Sequence, residues 1–291
     1  MTRAAPPSRL VYLGTPHTAV HPLRALVADG FEIALVVTRT DKRRGRGSQL
    51  MPSPVKAAAI ELGVPVSHSV DDALAVDADL GVVVAFGQLI KPHVLEALPM
   101  VNLHFSLLPR WRGAAPVERA LLAGDAQTGV CLMQLEAGLD TGPVYRRAAV
   151  PIGASVTADE LRGELVEVGT RLLVDELHAG LGVPEPQLGE PTYAAKIRPE
   201  ELEIDWRRPP VEIDRLIRIG GAWTTLNGRR LKIVTAQLVD ENNRPSADLT
   251  SDRVGGLRLL QVQPEGKPPM SFDAFARGAR LADVEHLGRA E

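Results

Sequence analysis

Three residues of the types used in acyl transfer stand out in this chain: Asn102, His104 and Asp140. An imidazole accepts a proton near neutral pH, which suits His104 to general base catalysis. The amide of Asn102 could donate a hydrogen bond to a developing oxyanion. The carboxylate of Asp140 could hold the imidazole in place and stabilise its charged form. If their two segments meet in the fold, these groups suit transfer of a one-carbon acyl group to an amine.

The elements around these residues indicate an α/β domain. Asn102 and His104 end a predicted buried strand, and they share one side of it because they are two positions apart. Strand and helix patterns alternate along the first 180 residues, which predicts a doubly wound, mostly parallel sheet. Strands are predicted at 9–13, 32–38, 65–68, 79–85, 100–104, 129–134 and 143–150, and helices at 18–28, 54–62, 92–98 and 157–178. Ligands bind such sheets at the carboxyl ends of the strands, where His104 is expected.

A second, smaller domain is predicted after a change in composition. Residues 180–191 contain three prolines and three glycines, which is typical of a linker. Beyond them, strands are predicted at 222–226, 231–239 and 256–262, with a hairpin turn at Asn227-Gly228. We therefore predict a catalytic domain at 8–180, a linker at 181–203 and a small β-rich domain at 204–291.

Composition limits the possible functions. The formal charge is −3, so the 291-residue chain as a whole is not a basic nucleic-acid coat, and a polyanionic partner would need a local basic patch. A single cysteine, Cys131, excludes an intramolecular disulfide framework and is expected as a buried thiol. No metal-ligand cluster and no apolar run of membrane-spanning length is present. A cytoplasmic protein without metal or membrane association is expected.

Two loops carry motifs that each allow two interpretations. A basic loop over 39–47 contains glycines and several cations, which could follow a phosphate backbone or could be an ordinary solvated surface. These cations are Arg39, Lys42, Arg43, Arg44 and Arg46. The loop 86–89 follows a predicted buried strand, and its glycine could allow a ligand close to the backbone or could simply end the strand. His104 as a structural residue and Asp140 as a turn residue also remain open alternatives.

The segments 102–109 (NLHFSLLP) and 138–142 (GLDTG) together resemble the folate-dependent formyltransferase family. The resemblance runs from about residue 10 to about residue 278. The segments 45–47, 51–56, 110–116 and 192–197 are similar to the members that act on tRNA. The resemblance implies that 10-formyltetrahydrofolate donates a formyl group to the α-amine of methionyl-initiator tRNA. It also implies a C-terminal β-barrel of the oligonucleotide-binding type, and a monomer is expected.

The resemblance also implies roles for particular residues. Asn102 and His104 would stabilise the tetrahedral oxyanion, and Asp140 would orient the histidine and assist proton movement. The folate site would be lined by Ser106, Leu107, Leu108, Pro109, Phe86, Gly87 and Leu89. The tRNA would be contacted by Arg39, Lys42, Arg43, Arg44 and Arg46, with Arg46 approaching the acceptor stem.

Two departures from the family pattern concern the C-terminal domain. The turn before Trp223 is short, and the polar segment 241–252 stands where strand material is expected. The barrel is therefore predicted to be shortened. Two alternatives to the tRNA enzyme follow: a formyltransferase for a small amine such as an amino-sugar nucleotide, or a tRNA- or folate-binding protein without turnover.

Overall fold

The computed structural model describes residues 5–43, 50–239, 246–281 and 284–288. The chain divides into two compact units, each assembled from three stretches of sequence. The first unit comprises 1–117, 127–151 and 161–195, and the second comprises 118–126, 152–160 and 196–291. Within the described residues, no helix combines the length and the apolar character needed to cross a membrane.

The strands up to residue 195 are β1 (Arg9–Gly14), β2 (Glu32–Val37), β3 (Lys42–Arg43), β4 (Leu50–Met51), β5 (Val66–Ser67), β6 (Leu80–Val84), β7 (Met100–His104), β8 (Arg112–Gly113), β9 (Gln127–Gln134), β10 (Val144–Pro151) and β11 (Tyr193–Ala194). The helices over the same residues are α1 (Val20–Ala28), α2 (Pro54–Glu61), α3 (Pro92–Ala97), α4 (Pro116–Ala123) and α5 (Ala158–His178). Short 3-10 helices lie at His17–Ala19 and Val70–Ala75.

The first unit is built on a sheet with the strand order β10-β9-β7-β6-β1-β2-β5. The five neighbouring strands β7, β6, β1, β2 and β5 are parallel. At one edge, β9 runs antiparallel to β7, and β10 runs antiparallel to β9. Continuous apolar runs suit this sheet, because a strand that is covered on both faces buries every side chain. All five residues of β6 are buried in this way. The predicted doubly wound, mostly parallel sheet is confirmed.

Helix α5 covers one face of the sheet beneath the site. Its Gly169 lies so close to the strands that an added Cβ would stand 3.0 Å from side-chain atoms of Leu103 and Val130. Because side chains alternate along a strand, Asn102 and His104 point to the opposite face. The helix begins with a capping box, in which Thr157 and Glu160 exchange side-chain and backbone hydrogen bonds.

The connections of the sheet reverse direction between β1 and β6. The chain builds β2 and β5 on one side of β1, and then β6 and β7 on the other. This reversal lies between the loops at the carboxyl ends of β1 and β6, the position at which such sheets commonly bind ligands. The two loops meet through the hydroxyl of Thr15, which donates to the carbonyl of Phe86 at 3.1 Å.

The second unit contains an antiparallel sheet with the order β12-β13-β16-β15-β14-β18, and β17 pairs with β16. Its strands are β12 (Trp223–Leu226), β13 (Arg229–Leu238), β14 (Asp248–Thr250), β15 (Arg253–Val254), β16 (Leu257–Pro264), β17 (Met270–Ser271) and β18 (Val284–His286). Its helices are α6 (Pro210–Arg218) and α7 (Phe272–Ala279), preceded by a 3-10 helix at Pro199–Leu202.

The barrel predicted for the C-terminal domain corresponds to this curved sheet. Among the described residues, an isolated antiparallel bridge between Leu226 and Leu287 joins its two edges, and the Gly288 N–H donates to the Thr225 carbonyl beside it. The polar segment 241–252 was expected to lack strand, yet Asp248–Thr250 forms β14 and buries Leu249 in the core of the unit. The indole N–H of Trp206 donates to the Thr224 hydroxyl at 2.9 Å in the same core.

One ion pair ties α4 to the 3-10 helix inside the second unit. The Arg119 guanidinium donates to both carboxylate oxygens of Glu201, at 2.7 and 3.2 Å, and the Arg198 backbone N–H donates to the same carboxylate at 3.0 Å. The Arg119 hydrogen bond, followed by the backbone bond from Arg198, lowers the pKa of Glu201 to about 2. Such bidentate arginine pairs are stronger than ordinary surface ion pairs.

We expect Glu201→Gln to lower the free energy of unfolding at pH 7 by about 1 kcal/mol, a value that allows for solvent screening. The carboxylate has a lower pKa in the folded state, so its contribution is present above pH 4.5 and declines as the pH falls towards 2. Urea unfolding of the parent and the variant at pH 7 and pH 3.5 measures both differences. A deficit of the variant that grows on acidification would contradict this assignment.

Candidate active site

Strand β7 carries Asn102 and His104 to the carboxyl edge of the sheet. Both residues are almost buried, with exposed fractions of 9% for Asn102 and 5% for His104. His104 stands opposite Cys131 of the antiparallel strand β9. Burial raises the pKa of the Cys131 thiol, so this neighbour stays uncharged beside the imidazole.

The imidazole of His104 is fixed by a backbone carbonyl. Its Nε2 lies 2.9 Å from the carbonyl oxygen of Trp111, and because that oxygen only accepts, Nε2 carries the ring proton. In the neutral ring the other nitrogen, Nδ1, is then a proton acceptor. Nδ1 faces the Oδ2 atom of Asp140 at 3.6 Å, which is longer than a hydrogen bond. The carbonyl of Trp111 therefore orients the ring, and Asp140 acts on it by charge.

Asp140 lies in the loop between β9 and β10, in a left-handed backbone conformation with φ of 50°. Aspartate tolerates this region better than most residues. Two positions further on, Gly142 packs so tightly that an added Cβ would overlap the carbonyl of Gln134. The carboxylate itself accepts a hydrogen bond from the Gly113 backbone N–H at 2.8 Å. The two predicted segments thus meet, and His104 and Asp140 face each other.

The segment after β7 holds the residues expected to line a folate site. Ser106 is fully buried, and its hydroxyl donates to the Arg110 carbonyl at 2.6 Å. Leu107 and Pro109 are half-buried, and the peptide bond between Leu108 and Pro109 is cis. The side chain of Leu108 belongs to a small apolar cluster with Cys131, Met133 and Val144. Contacts from Ser106 and Leu108 to a ligand would therefore come from their backbone.

The loop after β6 lies at the reversal of the sheet connections between β1 and β6. Phe86 is buried in the core, whereas Gly87 and Leu89 are exposed, Leu89 by 80%. The guanidinium of Arg39 donates to the Gly87 carbonyl. Arg39, expected to contact tRNA, is thus engaged with the loop that is expected to contact folate.

The other basic residues lie on a small hairpin. Strands β3 and β4 pair antiparallel, and Lys42 and Arg43 are exposed on β3, opposite the exposed Met51 and Leu50. Arg44 and Arg46 lie outside the described residues. No group of three or more potential metal-ligating side chains was found within the described part of the chain.

Gln187 is a site residue that the sequence analysis missed. Its side-chain amide donates to the carbonyls of Asp140 and Gly142, each at 2.8 Å, and its oxygen accepts two hydrogen bonds from Arg112. Thr192 was missed too, and its hydroxyl accepts the Trp111 N–H at 2.9 Å. Both lie in the segment 181–203 that composition marked as a linker, and no local pattern signals these long-range contacts.

Family models match both parts of the chain. Residues 8–177 match the formyl transferase model, and residues 196–280 match the model of the formyl transferase C-terminal domain. The chain therefore belongs to the formyl transferase family, as the motifs at 102–109 and 138–142 predicted.

Relatives at higher identity narrow the comparison. The methionyl-tRNA formyltransferase of Roseobacter denitrificans is 45% identical over 298 residues, covering 94% of this chain and 97% of the relative. The enzyme of the same name from Phenylobacterium zucineum is 44% identical at the same coverage of both chains.

Solved structures agree at the level of the fold. An N-formyltransferase from Helicobacter canadensis superimposes with a TM-score of 0.67 and 18% identity, covering 88% of this chain and 99% of that one. HypX from Aquifex aeolicus gives a TM-score of 0.63 and 15% identity, over 94% of this chain and 47% of that one.

We expect Asp140→Asn to reduce the rate of formyl transfer by about 10²–10⁴-fold while the protein stays folded. Asparagine tolerates the left-handed conformation and keeps an oxygen that can accept the Gly113 N–H, so the substitution mainly removes the charge facing His104. Single-turnover rates and the thermal midpoint are measured together.

The matched control for this variant is Asp29→Asn, which disrupts the surface pair between His178 and Asp29 in the same unit. It should leave the rate within twofold of the parent. A near-normal rate for folded Asp140→Asn would remove Asp140 from the mechanism.

Proposed function

We propose that this protein transfers the formyl group of 10-formyltetrahydrofolate to the α-amine of methionyl-initiator tRNA, for the initiation of translation. The observation that carries the proposal is the pairing of His104 with Asp140 at the carboxyl end of β7, with Asn102 on the same face. Relatives named methionyl-tRNA formyltransferase, matched over 94% of this chain, support the choice of acceptor.

The proposed reaction needs a hydrogen-bond donor for the oxyanion and an acceptor for the amine proton. The amine nitrogen attacks the formyl carbon, the bond from that carbon to the folate nitrogen breaks, and one proton passes from the amine to the folate nitrogen. Asn102 donates its amide N–H to the oxyanion of the tetrahedral intermediate. No enzyme nucleophile is required, because the amine itself attacks. An α-amine has a pKa of about 7.7–8.0, so much of it is neutral near pH 7.5.

His104 moves the proton in this scheme. Its Nε2–H is held by the Trp111 carbonyl, so Nδ1 is the atom that takes the proton from the attacking amine. The ring then becomes positively charged, and the carboxylate of Asp140 stabilises that charge. The same proton can afterwards pass to the leaving nitrogen, which returns His104 to its neutral form.

The carboxyl edge of the sheet at the reversal between β1 and β6 suits a folate derivative. Exposed Leu89 offers apolar surface for an aromatic ring system, and exposed Gly87 brings no side chain of its own to the loop. Backbone groups at 106–109 could hydrogen-bond the polar edge of such a ring. The adjoining strand end carries Asn102 and His104, so a donor bound at this edge would bring its formyl group to them.

The exposed hairpin of β3 and β4 suits a tRNA backbone. Lys42 and Arg43 provide local positive charge on a chain whose formal charge is −3. Arg44 and Arg46 continue the basic run in sequence. The proposed substrate would place the protein in the cytoplasm, and we infer that it acts there as a monomer.

The purified protein, given 10-formyltetrahydrofolate, should convert methionyl-initiator tRNA to formylmethionyl-tRNA, detected by mass spectrometry of the released amino acid. Methionyl-elongator tRNA and an amino-sugar nucleotide are the parallel acceptors. Formylation of the small amine without formylation of charged tRNA would replace the proposed function by the alternative one.

The double variant Lys42→Ala/Arg43→Ala should weaken tRNA binding most at low salt, because each lost phosphate contact reduces the salt slope by up to about 0.9. Dissociation constants between 50 and 200 mM salt test this. Arg24→Ala, which removes an exposed cation of α1 paired with Glu61, is the control and should keep the parent slope. An unchanged slope for the double variant would show that Lys42 and Arg43 do not contact tRNA phosphates.

A further inference from the structure

We propose that Gln187 is a positioning residue for Asp140: it fixes the loop that brings the carboxylate to His104. The inference rests on the proposed formyl transfer. Gln187 lies in the segment 185–194, which contacts both loops of the site within the first unit. Glu185 pairs with Val144, and Thr192 accepts the Trp111 N–H.

The loop that carries Asp140 needs support from outside itself. Strand β9 runs antiparallel to β7, so His104 stands opposite Cys131, and β9 ends beside Val101. Strand β10 begins opposite Met133, so both ends of the loop lie towards the Val101 end of β7, yet the Asp140 carboxylate lies 3.6 Å from the His104 imidazole. The loop reaches His104 with Asp140 in the left-handed backbone region, at a φ of 50°, which residues other than glycine rarely adopt.

Gln187 supplies that support with an amide that can adopt only one orientation. The carbonyls of Asp140 and Gly142 only accept, so they require the NH2 side of the amide, at 2.8 Å each. Arg112 only donates, so it requires the oxygen side, at 3.0 Å from Nε and 2.7 Å from a terminal guanidinium nitrogen. Reversal of the amide would place donor against donor and acceptor against acceptor. All four hydrogen bonds are partly shielded from water, which strengthens them.

These contacts close a circuit through three consecutive residues, Trp111, Arg112 and Gly113. The Trp111 carbonyl holds the imidazole, and the Gly113 N–H holds the Asp140 carboxylate. The Arg112 side chain, through Gln187, holds the backbone of the Asp140 loop. The distance between the carboxylate and Nδ1 is thus set from one short segment, and Gln187 connects that segment to the loop backbone at Asp140 and Gly142.

Loss of this link should alter turnover rather than substrate binding. None of the loops proposed to bind folate or tRNA is hydrogen-bonded by Gln187, so KM for either substrate should stay within about twofold. A displacement of about 1 Å at a reacting group can cost about 10²-fold in rate. We therefore expect a fall in kcat of about 10- to 100-fold.

The test is steady-state kinetics of Gln187→Met with methionyl-initiator tRNA and 10-formyltetrahydrofolate. Methionine has a similar length but neither donates two hydrogen bonds nor accepts strongly. The control is Thr170→Val, which removes a buried side-chain hydrogen bond to the Val166 carbonyl in α5 of the same unit. The control should keep the parent kcat even if its thermal midpoint falls as far as that of Gln187→Met.

A second variant, Gln187→Glu, keeps the acceptor for Arg112 but loses both donors to the loop. It should retain the fold and lose kcat at least as strongly as Gln187→Met. Arg112→Met should lower kcat in the parent but cause no further loss in the Gln187→Met background, because the two residues act through one link.

The outcomes separate the two proposals. If the parent protein does not formylate methionyl-tRNA, the proposed function fails and the role of Gln187 fails with it. If the parent is active and folded Gln187→Met or Gln187→Glu keeps kcat within twofold, the inference on Gln187 alone is overturned. A loss of kcat that Thr170→Val reproduces at equal stability would likewise overturn it, because the effect would then be one of stability.

Discussion

The hydrogen bond from the Gly113 backbone N–H to the Asp140 carboxylate is the contact on which the site depends. It joins the loop after β7 to the loop after β9. Gly113 itself has a φ of 122°, and a Cβ there would stand 2.9 Å from the Ala194 carbonyl. The donor is thus held by the pairing of β8 with β11, and the position of the Asp140 carboxylate depends on a backbone conformation that favours glycine.

The arrangement divides labour between backbone and side chains. Backbone groups of Trp111 and Gly113 set the orientation of His104 and Asp140, which leaves Nδ1 of His104 for the proton in the proposed mechanism. Backbone dipoles held by strand pairing need little reorganisation when charge develops on the ring, which is the physical basis of electrostatic preorganisation. The sheet contributes in the same way, since its parallel strands end together at one edge.

The sequence predicts the frame of this protein well and its long-range contacts poorly. Apolar periodicity places Asn102 and His104 on one face of a strand end, and the motif at 138–142 adds Asp140 through its family resemblance. Gln187 could not be found in this way, because a Pro- and Gly-rich segment carries no periodicity and its partners lie 45 and more positions away. Strand β14 was missed for a related reason. Its three residues lie in a polar segment, and they form a strand because they pair with β15 and β18, not because of their own propensity. The roles of the site residues themselves remain predictions.

The second unit is formed by three separate stretches of the chain, which limits how the two units could evolve. Residues 118–126 and 152–160 belong to that unit, although they lie within the stretch of sequence that builds the parallel sheet. A single cut or gene fusion near residue 195 would separate β12 to β18 from these two stretches. Recombination could therefore not exchange the C-terminal sheet together with its whole unit. Substitutions in the sheet have to stay compatible with α4 and the loop before α5.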